Sequence, residues 1–375
     1  MLAFFPWLKL QQDVDIGNIK LVRFVRGRNR DTEQITCERI LAPYVARNDK
    51  PIEESTLVLF KNRDIFQEFD DREIDFLFSF AEIVAFSGLS KREYFGLGHW
   101  QYCNRDDFSF VIQRFREDSD GISIVTRRRD GTRTNYITGS VFKERMPYHI
   151  NYNTVRLDVP LIKGLLDIQE KRVDRWPLYS DAIFYFNHAN TDSYQISEHQ
   201  EVVMIISAFE RILECSRGRE DDLVESFLQV IVPKKDIIQS ERVKNSKYQD
   251  SGKPLREIWL RDFFQLRGDY AHGKRLSKRP YIWKSHEHLL LGSYIFPLLV
   301  KCILAKDGFY QLTDEDISDI DVFERLAEAN LFEKPDNQKS SVDWKWNRIR
   351  AQFKLNQIIE EAVSKYIVES NDKGS

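Results

Sequence analysis

The sequence predicts an α+β chain, in which an N-terminal mixed α/β domain with an antiparallel sheet precedes an all-α helical bundle. Three observations carry that expectation. Short β-branched runs bounded by Asp and Gly turn signals fill the first half. From residue 198 onward, apolar residues recur instead at helical spacing. Between the two patterns, the polar run Asn190-Thr191-Asp192-Ser193 marks a shift in composition and the domain boundary. The expected division is residues 1–190, residues 191–310, and a helical extension over 311–375 whose tail, 369–375, is disordered.

In chain order, residues 19–25 and 56–60 are strand-like. Asp70 and Glu73 have the spacing of a capping box, and Ile74, Leu77, Phe78, Ala81, Val84 and Ala85 form the apolar face of the helix that follows. Gly88 is placed to end it. An antiparallel meander is expected from residues 108–112, 122–126 and 134–138, with turns at 118–121 and at Asp130-Gly131. Further strands are expected at 155–159 and 182–186. Arg127, Arg128, Arg129 and Arg133 flank the hairpin turn, and Arg26, Arg28 and Arg30 form a second basic cluster. Either set suits phosphate contact or, more ordinarily, a solvated surface.

The second half reads as successive helices. Val202, Ile205, Ile206, Phe209, Ile212 and Leu213 make the stripe of the first, and Leu223, Phe227 and Ile231 that of the second. Residues 233–253 are a polar loop expected to move. Trp259, Phe263, Leu266 and Tyr270 stripe a third helix that opens at Pro254 and stops at Gly273. Residues 289–305 are a fourth, apolar helix. Beyond Gly308, Thr313-Asp314 opens another helix. A loop follows at 335–340, and a final helix over 342–368 carries Trp344, Ile349, Phe353, Ile358, Ile359 and Val363.

Composition narrows the function classes. With 42% hydrophobic residues and 26 Phe in 375 residues, the chain can bury a sizeable core. A net charge of −3 shows no global basic field, so any RNA affinity must come from local patches. Cys37, Cys103, Cys215 and Cys302 are scattered with no C-x-x-C pair. That argues against a zinc site or a disulfide framework and for reduced thiols in the cytoplasm. Residues 1–8 lack the basic start of a signal peptide, and the apolar run 289–300 is broken by Pro297 and stopped by Lys301. It is expected to be a buried helix, with no membrane association. No P-loop exists, and Gly96-Leu97-Gly98 lacks the third glycine of a dinucleotide loop. His286 and His288 diverge on a helix, and no E-x-K follows Asp106-Asp107 to complete a nuclease carboxylate cluster. No metal or cofactor is therefore expected.

The stretch with chemistry in it is Arg267-Gly268-Asp269-Tyr270-Ala271-His272-Gly273, at the end of the third bundle helix. Arginine is the residue type for holding anionic oxygens, and histidine the one for moving protons. Together Arg267 and His272 suit a phosphodiester. The plainer alternative is that both cap and solvate a helix C-terminus, where positive charge is favoured. Downstream, Lys274, Arg275, Lys278 and Arg279 are interleaved with Tyr281 and Trp283, a composition that suits single-stranded RNA. It equally suits a solvated loop whose aromatics anchor it to the bundle.

In that helical context the stretch resembles the R-x(4–6)-H motif of HEPN ribonucleases, closest to the abortive-infection (Apea-like) branch, over residues 190–310. In that family a polar residue usually follows the Arg directly; here Gly268 does, and Asp269 comes second. The resemblance implies a HEPN-like bundle with the motif on its third helix, acting as a metal-independent endoribonuclease. It also implies a homodimer with a composite site and a bacterial antiphage or toxin setting. Arg267, His272 and Asp269 would be catalytic, and the N-terminal domain would respond to a phage-derived or protein trigger. Geometry points the same way, because residues five apart lie about 140° around a helix, so one motif copy does not surround a phosphate. A non-catalytic HEPN-like adaptor, serving dimerisation or nucleotide or RNA binding, would carry the same residues.

Overall fold

The computed structural model describes residues 1–29, 31–95, 102–116, 119–138, 142–215, 219–273, 281–332 and 345–372. The chain is α+β and gathers into two compact units, Met1–Glu93 with His99–Ile196, and Tyr94–Gly98 with Ser197–Ser375.

The first unit is built on a five-stranded antiparallel sheet of order β3-β4-β6-β1-β7. Its strands are β1 (Leu2–Phe5), β3 (Val14–Ile16), β4 (Ile19–Val25), β6 (Glu54–Phe60) and β7 (Val111–Gln113). Every residue of β1 is buried, as its uninterrupted apolar sequence requires of a strand covered on both faces. Two short strands, β2 (Lys9–Leu10) and β5 (Tyr44–Val45), each take a parallel partner. Those partners are β12 (Thr154–Val155) and β11 (Glu144–Arg145), respectively. Helix α1 (Thr32–Leu41) covers the sheet, and Cys37, Ile40 and Leu41 join Phe4, Trp7 and Tyr44 in one core. A separate sheet joins β8 (Phe115–Arg116), β9 (Ser119–Arg128) and β10 (Gly131–Thr138). Gly131 opposite Arg128 sets the hairpin register.

Helix α2 (Asp71–Ser90) starts at the expected capping box, with the Asp70 side chain on the Glu73 amide at 2.8 Å. It runs past Gly88, which does not end it. A Cβ at position 88 would lie 2.1 Å from Phe108 Cζ, so the glycine serves a close approach. Four other expectations are corrected. Residues 105–108 form a 3-10 helix, and only β7 follows, pairing with β1 instead of a meander. Ser119, Asp120 and Gly121 belong to β9. The strand at 155–159 is confined to β12, because Asp158 caps helix α3 (Val159–Lys171) through the Leu161 amide. Residues 182–186 lie within helix α4 (Trp176–Ala189), where buried Tyr179, Ala182, Ile183 and Phe186 share one face. An apolar run of that length is ambiguous in period until its packing partner, here α2, is known.

The second unit is helical among its described residues: α5 (Glu198–Ile212), α6 (Glu220–Val230), α7 (Leu255–Ala271), α8 (Ser285–Lys306), α9 (Asp314–Glu328) and α10 (Lys345–Asp372). Ser197 caps α5 reciprocally with Gln200. Helix α7 is central and packs against α5, α6 and α9. Its Trp259 meets Phe209, Phe227, Phe263 and Phe323 at ring separations of 6.4, 6.3, 5.6 and 5.1 Å. Charges on the buried turns of α7 are paired: Arg256 with Glu324 at 2.7 Å, and Arg261 with Glu220 at 2.9 Å.

Helix α8 continues through Pro297. At 22 residues and a mean hydropathy of 1.8 it is long and apolar enough to cross a membrane, but 83% of its apolar window is buried within the fold. Residues 233–253 are tied down: the Lys234 amide bonds Asp321 at 2.7 Å, and Arg242 reaches Glu287 at 2.5 Å. Helix α10 extends to Asp372, beyond the expected end at 368.

Candidate active site

Helix α7 delivers Arg267 and His272 to its C-terminal end for local reasons. The His272 amide closes the last turn on the Gly268 carbonyl at 3.1 Å. Gly273, at φ +62°, then takes the left-handed conformation that turns the chain away. His272 is therefore the capping residue itself, and its imidazole is exposed. No hydrogen bond or ion pair holds that ring among the described residues, so it is available to a ligand.

Arg267 is placed differently. Its side chain is 24% exposed, and the guanidinium donates from Nη2 to Glu210 Oε2 at 2.8 Å and lies over the Phe264 ring at 5.5 Å. Glu210 comes from α5 and is 14% exposed. Burial pushes its carboxyl up, against the pull of the Arg267 charge and hydrogen bond. The pair is joined by one bond only. Arg267 Nε and Glu210 Oε1 are buried without partners among the described residues, so the guanidinium retains donor capacity. Sequence reading places Glu210 on the first bundle helix, either facing the motif or, more ordinarily, solvated; the crossing of α5 and α7 puts it on Arg267.

The remaining predicted site residues separate into groups. Asp269 accepts from the Tyr281 hydroxyl, which holds residue 281 close to α7. Trp283 is 1% exposed and donates its indole N–H to the Ala327 carbonyl at 2.8 Å. Its ring is packed inside the bundle, which corrects its assignment as a base-stacking surface. Lys274, Arg275, Lys278 and Arg279 lie outside the described residues, as do Gly96-Leu97-Gly98, Arg30 and Trp344. Arg26 is occupied, with Nε on the Ile52 carbonyl at 3.1 Å.

One neighbour of the motif was not foreseen. His199, in the first turn of α5, stacks on Tyr270 with ring centroids 3.9 Å apart, and the Tyr270 hydroxyl bonds Ser285 Oγ at 2.7 Å. A second exposed imidazole thus lies beside the motif helix. No local spacing connects residues 199 and 270, so nothing short of the packing of α5 on α7 could have found it.

The two histidines expected to diverge do so. His288 is fully buried, bonds Asp262 at 3.2 Å and stacks on Phe263, while His286 meets Phe332 edge-on at 4.4 Å. Burial lowers the His288 pKa against the opposing pull of Asp262. In the first unit, Asp106 contacts His149 Nε2 at 2.6 Å, and Asp107 accepts from the Asn104 amide at 2.8 Å. Burial raises the Asp107 carboxyl to about 7. Among the described residues no group of three or more His, Cys, Asp or Glu is placed to hold a metal.

No family model matches the chain, and neither curated proteins nor solved structures give a match.

Proposed function

We propose that the chain is a HEPN-type endoribonuclease that cuts RNA at a composite site across a homodimer and acts in the cytoplasm as a toxin or antiphage effector. The observation that carries this reading is the pairing of roles at the end of α7. His272 is an exposed imidazole, unengaged among the described residues, and Arg267 is a braced cation five residues earlier on the helix. In the reaction, His272 takes the proton of a ribose 2′-hydroxyl, which attacks the adjacent phosphorus. Arg267 stabilises the charge that builds on the phosphoryl oxygens. The 5′-oxygen leaves with a proton supplied by the His272 of the second copy, giving a 2′,3′-cyclic phosphate and a 5′-hydroxyl. Because the nucleophile belongs to the substrate, the step calls for no metal-bound water. RNA is the partner at the second unit, and a phage-derived or protein trigger is proposed for the first.

The test is cleavage of a mixed RNA pool, with end-group analysis, by wild type, His272→Ala and Arg267→Ala. Either substitution should lower the rate by about 10²–10⁴-fold, with the folded chain intact by circular dichroism. RNA left whole by the wild type, with and without phage infection of the expressing cells, would remove the reading. A second reading then takes its place, and one observation favours it. Arg267 already has a carboxylate partner within its own chain, as it would in a non-catalytic HEPN-like adaptor that binds RNA or nucleotide without cutting.

A further inference from the structure

The aromatic rings around the end of α7 are engaged in different ways. Phe264 lies under the Arg267 guanidinium at 5.5 Å, Trp283 is buried, and the Tyr281 hydroxyl is on Asp269. Tyr270 has its hydroxyl on Ser285 Oγ at 2.7 Å and one face against His199. Those two rings are 3.9 Å apart between centroids, and their planes differ by 24°. His199 is the outer member of the stack. It is exposed and makes no hydrogen bond among the described residues, so the imidazole face turned away from Tyr270 meets solvent.

That face has the place and the rigidity of a base-stacking surface. Tyr270 lies between Arg267 and His272 in the chain, so the stack stands at the end of α7 where a phosphate would be held. Three helices fix it before any ligand arrives: His199 is in the first turn of α5, Tyr270 in the last turn of α7, and Ser285 opens α8. Little freedom is then lost on binding. Unpaired bases bury their faces on aromatic side chains, histidine included, whereas a double helix keeps those faces to itself. We propose that His199, backed by Tyr270, is the platform on which the base beside the scissile phosphate stacks. It favours single strands and, because stacking strength grows with ring area, a purine at that position. This rests on the reading of RNA as the ligand of the second unit.

Binding is separated from cutting with 2′-O-methyl RNA, which lacks the attacking hydroxyl. Fluorescence anisotropy on the full chain compares a short labelled 2′-O-methyl oligoadenylate with an abasic strand of the same length and charge. Wild type should bind the adenylate more tightly. His199→Ala should narrow that gap by about 5- to 150-fold, the worth of one stacked base, and leave affinity for the abasic strand unchanged. His199→Phe keeps a ring and loses the nitrogens, and it should keep the gap. Equal weakening on both strands, the mark of a merely structural role, would overturn the proposal. So would a gap that His199→Ala leaves intact, a His199→Phe variant as weak as His199→Ala, or a wild type that binds neither strand. Cleavage of ordinary RNA is read separately. A chain that shows the gap but cuts nothing keeps the platform and loses the ribonuclease reading; one that cuts with no purine preference beside the cut does the reverse.

Discussion

Arg267 owes its position to a single bond to Glu210, and that bond sets what substitutions around it should do. Glu210→Gln keeps the shape but removes the charge, so the guanidinium should be less firmly held and cleavage should fall less than with Arg267→Ala. Glu210→Ala should in addition cost about 1–3 kcal/mol of stability, since a mostly buried cation loses its partner; urea denaturation measures it. Equal stability of wild type and Glu210→Ala would mean that water already satisfies Arg267. His272 differs: it is exposed and unengaged, so His272→Ala should leave stability unchanged while removing activity. At this scale the sequence was legible for Arg267 and His272, because an Arg, a His and a Gly at the end of a striped helix are local features. For Glu210 and Trp283 it offered two options each and could not choose, and it missed His199, because those roles depend on which faces of distant helices meet. Trp283 shows the difficulty: an aromatic in a basic stretch serves an RNA base or its own core equally well.

Glycines show how helices read differently by sequence and in place. Gly88 has the appearance of a stop signal after an amphipathic run, yet it lies inside α2 because Phe108 occupies the space a side chain would need. Gly88→Ala should destabilise the chain by about 1–3 kcal/mol through overpacking, and Phe108→Leu in the same chain should recover part of the loss. Gly268 is the opposite case. It is helical, and nothing lies within 4 Å of a Cβ built there. Gly268→Ala should therefore stabilise α7 by about 0.5–1 kcal/mol, read as a raised melting temperature with cleavage retained. Gly292 shows a third use, since its Cβ would sit 3.0 Å from Phe263 and 3.1 Å from Ile205, where α5, α7 and α8 converge. The capping box of α2 and the Thr313 start of α9 were legible in advance, because a cap reaches only three residues; α3 and α4 were not, because short apolar runs fit either period.

At the scale of the whole molecule, two buried ionisable groups, one in each unit, respond to pH in opposite senses. Asp107, in the first unit, holds its proton to about pH 7 when folded, whereas an unfolded aspartate releases it near ~4. Its contribution is complete below the unfolded value and is lost as the pH rises through about 7. Asp107→Asn cannot ionise, so its melting temperature relative to wild type should rise between pH 5 and pH 8; a difference that does not change with pH would refute this. His288, in the second unit, has a lowered pKa, so its contribution is present above neutrality and is lost on acidification. By itself the sequence determined the α+β class, the start of most helices in the second unit, and the end of α7 where Arg267 and His272 sit. Those features follow from periodicity and capping, which act over a few residues. Only the tertiary structure decided that Arg267 leans on a carboxylate 57 residues away and that His199 stacks on Tyr270. Such outcomes depend on how helices cross, and crossing is settled by the packing of whole faces rather than by any short run of residues.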